Sequence, residues 1–512
     1  MLKQLKIFAM AVVLLIFFVP RGVSAEEIII FHTNDTHCRI SESDDGGKSI
    51  GLAQMAAAVK TVKKQHKNTF WFDAGDAFQG LPKINVSKGE NLVAFLNAAG
   101  VDLIVPGNHE FDYGSDQLEN LARKLKFPMI SANIVRKNNG ESVFAPYKIF
   151  KCGNIKIGVF GLTTPETRYT SAPKNTETLD FLNPVETANE MIKILRPQCD
   201  ILIAVTHMGL DKSSEFTSRR IAAETEGIDL IIDGHSHTEL PEGLIVGETL
   251  IAQTGSYSHY LGQVKINLRD GKIISKEAKL LDAAEVAEIA PVPDKKISKL
   301  NNRLEKRNEK FLGEILTESN RELSGERELV RHEETEIGDL CADALRWKSG
   351  ADIAVFNGGG IRTGLPSGKI TRGDILAIMP FGNGIQKGEV LGKNIRAMLE
   401  RSVSAYPEEL GGFLSVSGMT FSFDPSQPSG QRVQEIFING EILDENKIYV
   451  LAASDFIFSG GDDYPMLKDS KIIGKYGIDS DVFAEYLSKF GTDKIEGGRI
   501  EILDNVEEKQ AA

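Results

Sequence analysis

The residues best suited to chemistry form one short stretch, Gly107-Asn108-His109-Glu110-Phe111-Asp112. It follows the apolar run Leu103-Ile104-Val105, which predicts a buried strand that ends abruptly at a Pro-Gly pair. Asn108 offers a neutral oxygen ligand, His109 offers a ring nitrogen, and Asp112 is near enough in sequence to orient that ring. This trio suits phosphoryl chemistry, in which one group binds a metal and another faces the scissile phosphate. A single histidine at a strand end is more often structural, so the rest of the chain has to decide.

Metal-binding residue types follow five predicted strands in the first half of the chain. These residues are Asp35 and His37, Asp76, Asn108 and His109, His207, and His235 and His237. Ligands of open α/β sheets collect at the carboxyl edge of the strands, so we expect these side chains to meet there. Each residue taken alone has a structural alternative, such as a turn, a helix cap or a buried histidine. For those alternatives to be correct, all five loops would need unrelated structural reasons for having such residues at the same sheet edge.

The mixture of ligands predicts the kind of metal. Imidazole combined with carboxylate and amide oxygen suits zinc, manganese or iron, whereas calcium prefers oxygen ligands alone. One carboxylate can bridge two metal ions, and Asp76 is the residue that we expect to do so. The sequence therefore predicts two divalent ions beside a water-derived nucleophile, with His109 neutralising charge on the phosphoryl oxygens.

Hydrophobic periodicity predicts the elements that position these residues. Across residues 27–281, short β-rich runs alternate with segments of helical spacing, which predicts an α/β domain of sheets covered by helices. Pro291-Val292-Pro293 then interrupts the chain, and residues 295–313 predict a charged, exposed linker helix. The remainder has an α+β pattern. The predicted limits are 1–25 for a signal peptide, 26–283 for the first domain, 284–320 for the linker, 321–505 for the second domain and 506–512 for a tail.

Composition narrows the class of protein. The chain has 512 residues, of which 41% are hydrophobic and 26% charged, so it is a globular chain too long for one ordinary domain. Its formal net charge of -13 argues against a nucleic-acid partner, which requires a basic face. The four cysteines are far apart and form no disulfide scaffold. Cys152 and Cys199 are one candidate bridge, and free thiols are equally compatible with the sequence.

The N-terminus has the pattern of a secretory signal peptide. Lys3 and Lys6 form a positive region, residues 7–19 are almost unbroken in apolarity, and Val23-Ser24-Ala25 is a small-x-small site. The apolar run is shorter than the roughly 20 residues that span a membrane. We therefore expect cleavage after Ala25 and export to a periplasm or the medium, with no membrane anchor left on the mature chain.

The motifs of the first domain resemble those of the calcineurin-like metallophosphoesterases. The matching motifs, in chain order, are Asp35-x-His37, Gly75-Asp76, Gly107-Asn108-His109-Glu110, His207 and Gly234-His235-Ser236-His237. The resemblance implies a four-layer α/β/β/α domain with His109 and Asp112 as a catalytic dyad. It implies one metal held by Asp35, His37, Asp76 and His237, and a second held by Asp76, Asn108, His207 and His235. Family members often have an amide where this chain has His237, and this departure bears on metal preference.

The second domain resembles the C-terminal substrate domain of secreted 5'-nucleotidases. The matching stretches are Asn357-Gly358-Gly359-Gly360-Ile361-Arg362, Pro380-Phe381-Gly382 and Gly460-Gly461-Asp462. A glycine run lets backbone approach a ligand closely, and an arginine can pair with phosphate. The resemblance implies that Gly359 and Gly360 line the substrate site and that Phe381 and Phe456 sandwich the base. It further implies that Asn357 contacts the base, Asp462 the ribose hydroxyls, and Arg331 and Arg362 the phosphate. It also implies a rotation between the domains.

These inferences lead to an exported, dimetal 5'-nucleotidase that converts nucleoside 5'-monophosphates to nucleoside and phosphate. The same site suits 2',3'-cyclic nucleotides, UDP-sugars and dinucleotides, which stay open as alternative substrates. The thiosulfohydrolase of sulfur oxidation is a more distant relative that shares the metal domain without needing a base clamp. A nucleotide-binding surface protein on an inactive scaffold would have lost metal ligands, and none is missing here. Metal identity, base preference and oligomeric state stay open.

Overall fold

The computed structural model describes residues 25–493 and 495–503. The predicted signal peptide, apart from Ala25, and the predicted tail lie outside the described residues. No helix in the described part of the chain is long and apolar enough to cross a membrane.

Two β-sheets form the centre of the first domain. In spatial order, the first consists of strands Lys272–Leu281, Leu261–Arg269, Ala25–Thr33, Thr69–Asp73 and Leu103–Ile104. The second consists of strands Leu244–Val246, Thr249–Ala252, Leu230–Ile232, Ile201–His207, Ile155–Thr163 and Tyr147–Cys152. A small ribbon of Ile134–Arg136 and Leu179–Phe181 accompanies them. Neighbouring strands at the middle of each sheet are parallel, so their carboxyl ends share one edge.

Alternating side chains bury both faces of these sheets. In the first strand, Ile28 and Ile30 pack into the core between the sheets, whereas Ile29 and Phe31 face the outer helices. The helices of this domain are Leu52–Gln65, Pro82–Asn85, Glu90–Ala99, Ser115–Lys124, Thr167–Thr170, Pro184–Leu195, Ser218–Glu224, Ala283–Ile289 and Lys295–Leu312. Helices cover the outer face of each sheet, through separate apolar clusters. The four-layer α/β/β/α prediction is confirmed.

The segment predicted as a linker contains the helix Lys295–Leu312, but one face of this helix is buried. Ile297 and Leu304 belong to the outer core of the first domain, and Asn308 Nδ2 donates to the carbonyl of Lys83 at 2.9 Å. The expected exposed helix is therefore amphipathic, because its apolar residues recur at helical spacing and find a partner surface. The strand Ile315–Ser319, also within the predicted linker, pairs with Gly368–Thr371 of the second domain.

The second domain is α+β, as predicted. Its main sheet has strands in the order Leu414–Ser417, Ile353–Asn357, Ile448–Ser454, Gly384–Leu391 and Lys471–Ile478. A four-stranded sheet follows the order Glu441–Ile442, Val433–Ile438, Met419–Phe423 and Ile500–Ile502. The helices are Arg327–Val330, Glu336–Ser349, Arg372–Ile378, Gly392–Ser402, Asp455–Phe458 and Asp479–Phe490. Separate apolar clusters fill the two faces of the main sheet.

The two domains meet across a cleft. Lys174 and Asp455 form an ion pair across it at 3.4 Å, and Lys212 and Glu408 form another at 2.6 Å. All four cysteines are free thiols, so the candidate Cys152–Cys199 bridge is not formed in this structure.

Candidate active site at the domain interface

The five loops singled out in the sequence converge at the carboxyl edge of the two sheets. Positive φ angles at Asp35, His37, Asp76, His235 and His237 show how sharply these loops turn. Non-glycine residues rarely adopt this conformation outside sites where surrounding contacts hold them. The turns bring side chains from both sheets into one cluster.

Carboxylates and imidazoles form a compact cage. His207 Nε2 lies 3.2 Å from Asp76 Oδ2 and 3.9 Å from Asp35 Oδ1. His237 Nε2 lies 3.5 Å from Asp35 Oδ1 and 3.2 Å from His37 Nε2. His37 Nε2 is also 3.9 Å from Asp76 Oδ2. The separation between Asp76 and His207 is therefore short enough for both to contact one ion.

Asn108 and His235 extend the cage on the side of His207. Asn108 Oδ1 is 2.9 Å from His235 Nδ1, and the rings of His207 and His235 meet edge to face at 5.2 Å. The structure thus brings together all seven side chains that the sequence suggested as metal ligands.

The hydrogen bonds around the cage fit a metal site. His207 Nδ1 donates to the carbonyl of Ala74 at 2.6 Å, and His37 Nδ1 donates to that of Gln79 at 3.0 Å. These bonds leave each Nε2 with a lone pair turned toward carboxylates. His207 Nε2 is buried and has no hydrogen-bond partner in the described part of the chain. Nitrogen and oxygen ligand atoms that converge in this way are the arrangement that a divalent cation satisfies.

Burial adds an electrostatic reason for a cation. Burial, only partly offset by the imidazole of His207, raises the pKa of the Asp35 carboxyl to about 6. The neighbouring carboxylate of Asp76 raises it further, since two negative charges repel in a poorly solvated site. Positive charge at the centre of the cage would favour the ionised form of Asp35 and offset its repulsion by Asp76.

His109 lies beside the cage and is held from two directions. Its backbone N–H donates to Asp76 Oδ1 at 2.8 Å, and its Nδ1 is 2.7 Å from Asp112 Oδ2. The other oxygen of Asp112 accepts a hydrogen bond from Ser171 Oγ at 3.0 Å. Burial opposes the charged imidazolium, but the carboxylates of Asp112 and Asp76 outweigh it and raise the pKa of His109. The ring is thus fixed in orientation, and its protonated form is favoured. That form can donate a hydrogen bond to a phosphoryl oxygen.

Glu110 has a role that sequence reasoning did not assign. Its fully buried carboxylate accepts backbone N–H groups from two loops. The donors are Asp76 at 2.8 Å, Ala77 at 2.7 Å, Phe78 at 3.0 Å and Gly107 at 2.6 Å. Glu110 therefore ties the loop that carries Asp76 to the loop that carries His109. Its position directly after His109 was the available sequence signal.

Two further acidic residues support the histidines of the cage. Glu166 Oε2 lies 3.5 Å from His235 Nε2 and lines the cleft. Asp233 Oδ1 accepts from Thr206 Oγ1 at 2.8 Å and from the backbone N–H of Met208 at 3.0 Å, on either side of His207. A carboxylate on the outer nitrogen of a ligand histidine fixes its orientation. Nothing in the local sequence marks Glu166 for this position.

The cleft between the domains holds a cavity of about 410 Å³, within the range of small-molecule sites. All eight residues that the resemblance implied for substrate binding line it, namely Arg331, Asn357, Gly359, Gly360, Arg362, Phe381, Phe456 and Asp462. The dyad and four of the cage residues line the opposite side, namely His109 and Asp112 with Asp76, Asn108, His235 and His237. Both halves of the predicted site therefore face one space.

Arginines concentrate positive charge in this cavity. Burial and the nearby Arg327 and Arg362 lower the pKa of the Arg331 guanidinium to about 9. Arg327, which sequence reasoning missed, pairs with Glu409 at 2.7 Å. Crowded, poorly solvated guanidinium groups form a strong binding site for an anion such as phosphate.

The polar and aromatic residues that the second domain contributes to the cavity are held by specific contacts. Asn357 Nδ2 donates to Asp462 Oδ2 at 2.7 Å. Glycine is required at position 358, because a Cβ there would lie 1.9 Å from the carbonyl oxygen of Val330. Phe381 stacks on the His109 ring at 5.7 Å with an interplanar angle of 20°. The ring that Phe381 meets in this structure is therefore His109 from the other domain.

Comparisons with known proteins agree with this architecture. A family model for calcineurin-like phosphoesterases matches residues 28–239, and one for the 5'-nucleotidase C-terminal domain matches residues 314–469. The second match begins inside the predicted linker, at the strand that pairs with the second domain. The domain limits suggested by the sequence stay predictions.

Three similar proteins illustrate the match. The chain is 30% identical to the trifunctional nucleotide phosphoesterase protein of Bacillus subtilis over 95% of this chain, but spans only 36% of that protein. It is 29% identical to the 5'-nucleotidase of Diplobatis ommata, covering 90% of this chain and 87% of the relative. The solved 5'-nucleotidase precursor from Thermus thermophilus is 29% identical, with a TM-score of 0.83 over 93% of this chain and 99% of that one. The chain therefore has a calcineurin-like phosphoesterase domain followed by a 5'-nucleotidase C-terminal domain, and over most of its length it is similar to proteins named 5'-nucleotidase.

Proposed function

We propose that this protein is a metal-dependent hydrolase that converts nucleoside 5'-monophosphates to nucleoside and inorganic phosphate. The observation that carries the proposal is that one cavity is lined by four residues of the imidazole–carboxylate cage of the first domain and by the arginines and aromatic rings of the second. A cage alone would suit many phosphate esters. The additional rings and polar groups suit a nucleoside attached to that phosphate.

Two divalent ions, such as zinc or manganese, would be held by the cage. Asp35, His37, Asp76 and His237 would hold one ion, and Asp76, Asn108, His207 and His235 the other. Such ions, when bound, polarise phosphoryl oxygens and lower the pKa of water so that it can attack phosphorus. His237 adds a second imidazole beside His37 at the first of these ions, which favours nitrogen-preferring metals.

The protein's own groups would stabilise the charge that develops on the phosphoryl group. His109, oriented by Asp112 and favouring its proton, would donate to a non-bridging oxygen. Arg331 and Arg362 would pair with the same group from the second domain. Because the two sets come from different domains, the charge would be fully compensated only when the cleft is closed.

The nucleoside would bind to the second domain. Phe381 and Phe456 would stack on the base, while Asn357 and Asp462, already joined by a hydrogen bond, would meet the base and the ribose hydroxyls. Phe381 stacks on His109 in the present structure. To stack on the base, Phe381 would have to leave the His109 ring. A rotation between the domains would permit that exchange.

Export is part of the proposal. The charged, apolar and small-x-small segments of residues 1–25 support a signal peptide. This inference rests on the sequence, because residues 1–24 lie outside the described range. Mass spectrometry of the mature protein tests it, and we expect Glu26 at the new N-terminus. A protein retained with residues 1–25 attached would contradict export by this route.

A substrate panel tests the activity. Purified protein, with its metal content measured by elemental analysis, is given AMP, 2',3'-cyclic AMP and UDP-glucose at equal concentrations. We expect phosphate release from AMP to have the highest kcat/KM. A higher value for either of the other two would assign the site to phosphodiester or pyrophosphate hydrolysis, and absence of turnover with bound metal would contradict an enzyme altogether.

A further inference from the structure

Gln79 contributes a polar side chain to the cavity that the mechanism above does not use. Its side chain is only 1% exposed, and it lines the cavity together with Asp76 and His109. Within the described ranges, neither its Oε1 nor its Nε2 has a hydrogen-bond partner. Buried amides that lack a partner are rare in folded proteins, because burial removes the hydrogen bonds that water would supply.

The backbone holds this amide firmly in place. The carbonyl of Gln79 accepts a hydrogen bond from His37 Nδ1 at 3.0 Å. The next residue, Gly80, passes so close to His37 that a Cβ there would lie 2.0 Å from the His37 carbonyl oxygen. Gln79 is therefore fixed against a residue of the metal cage, and its side chain belongs to a rigid part of the cavity wall.

Other buried glutamines of the same domain behave differently. Gln54, away from the cavity, donates to the carbonyl of Ala290. Gln253 accepts from the Thr238 N–H at 2.6 Å and donates to Asp233 at 3.2 Å. The fold thus pairs its buried amides with protein groups at these positions, whereas that of Gln79 is free to pair with something that enters the cavity.

The charge of the cavity indicates what that partner is. Six carboxylates line the cavity, among them Asp76 in the metal cage and Asp112 on His109, but Arg331, Arg362 and His109 supply its convergent donors. Guanidinium and imidazole donors select an anion with several acceptor oxygens. We propose that the Gln79 amide is a substrate-contacting residue whose Nε2 donates to a non-bridging oxygen of the phosphoryl group. The proposal rests on the proposed function for the identity of that phosphoryl group, but its binding partner is the phosphate itself.

The variant Gln79→Met tests this inference, since methionine has a similar length and no hydrogen-bonding amide. In the metal-loaded protein we expect kcat/KM for AMP to fall about 10- to 100-fold, the scale of a hydrogen bond to a charged group. Inorganic phosphate, titrated calorimetrically into the same protein, should bind more weakly by a similar factor. The Tm without phosphate should stay equal or rise, because an unpaired buried amide has been removed.

Gln54→Met is the matched control. It removes a buried amide that has a protein partner, so we expect a lower Tm with unchanged phosphate binding and an unchanged KM. The opposite responses of the two variants distinguish a ligand-binding amide from a structural one.

Three outcomes would overturn the inference. Unchanged phosphate binding in Gln79→Met would show that the amide does not meet the phosphoryl group. The Tyr113 hydroxyl also lacks a hydrogen-bond partner within the described residues. A lowered Tm in both Gln79→Met and Tyr113→Phe, without effect on phosphate binding, would show that both groups are satisfied within the protein. Loss of metal from Gln79→Met would assign the residue to the cage. If wild-type protein failed to cleave AMP, the proposed function would fail, while phosphate titration would still decide the role of Gln79.

Discussion

Individual carboxylates organise the cage around Asp76. Glu110 accepts three backbone hydrogen bonds from the Asp76 loop and one from Gly107 in the His109 loop, and Asp112 orients His109. Glu110 bonds to backbone N–H groups and Asp112 bonds to a ring nitrogen, so neither occupies an atom that would bind a metal ion. Because such bonds are made in a buried, poorly solvated site, the loss of one partner leaves polar groups unpaired and is costly.

His109→Ala should lower kcat for AMP by about 100-fold or more, the usual scale for removing a group that stabilises transition-state charge. Metal content should stay intact, because no proposed ligand atom is removed. Stopped-flow or steady-state assays together with elemental analysis measure both quantities. His66→Ala, at an exposed histidine after a helix, is the control and should change neither. Unaltered turnover in His109→Ala would remove this residue from its role.

Glu110→Gln tests the tie between the two loops. Replacing one oxygen by an amino group should break the two hydrogen bonds made by that oxygen and destabilise the first domain by about 1–3 kcal/mol. We also expect weaker metal binding, since the Asp76 loop would lose its fixed position. Urea unfolding and metal titration measure these effects, with the exposed Glu288→Gln as control. Wild-type metal affinity in Glu110→Gln would show that the cage is held without this carboxylate.

At the scale of elements, strand ends place the site and helices secure the sheets that carry it. The loop after Ala25–Thr33 and the loop after Leu230–Ile232 come from different sheets, yet His235 N–H donates to Asp35 Oδ2 at 2.9 Å. The amphipathic helix Lys295–Leu312 adds apolar contacts to helices Leu52–Gln65, Pro82–Asn85 and Glu90–Ala99, in the layer that covers the first sheet. A less stable helix should therefore lower the stability of the first domain, in addition to weakening the segment that joins the two domains.

Asp294→Ala tests this contribution. Asp294 is the N-cap of the helix, accepts N–H groups from Lys296 and Ile297, and pairs with Lys60 at 2.6 Å. We expect a loss of about 1–2 kcal/mol in the free energy of unfolding, the typical cost of removing such a cap. Arg303→Ala, at an exposed position of the same helix, should have little effect. Equal urea midpoints for both variants would contradict a stabilising role for the cap.

At the scale of the whole molecule, two domains complete one site. The cage belongs to the first domain, the arginine cluster to the second, and His109 meets Phe381 across the cleft. The ion pairs Lys174–Asp455 and Lys212–Glu408 join the two domains across the cleft. Such exposed pairs contribute up to about 1 kcal/mol each and weaken with salt.

The double variant Lys174→Met with Lys212→Met should therefore close less readily. We expect KM for AMP to rise about two- to fivefold at low salt, and the difference from wild type to shrink at high salt as both pairs are screened. Lys124→Met, which breaks an ion pair with Glu90 inside the first domain, is the control and should leave KM unchanged. A KM equal to that of wild type at low salt would show that these pairs do not favour closure.

The sequence by itself determined the layered α/β class and the loops that carry chemistry. Apolar runs of strand length, each followed by Asp, His or Asn, place those residues at the carboxyl ends of strands, because side-chain periodicity and turn residues are local properties. The motif order also determined the family of both domains. The seven cage residues, the dyad and the eight cavity-lining residues were all named from such local patterns.

Only the tertiary structure decided which groups support them and which lack partners. Glu110, Glu166 and Arg327 gain their roles from neighbours that are distant in sequence, and the buried face of Lys295–Leu312 appears only once the first domain offers a surface. Gln79 is distinguished by a side-chain amide that has no hydrogen-bond partner among the residues described. Hydrogen-bond satisfaction and burial depend on how the two sheets and two domains pack together, and no local pattern contains that information.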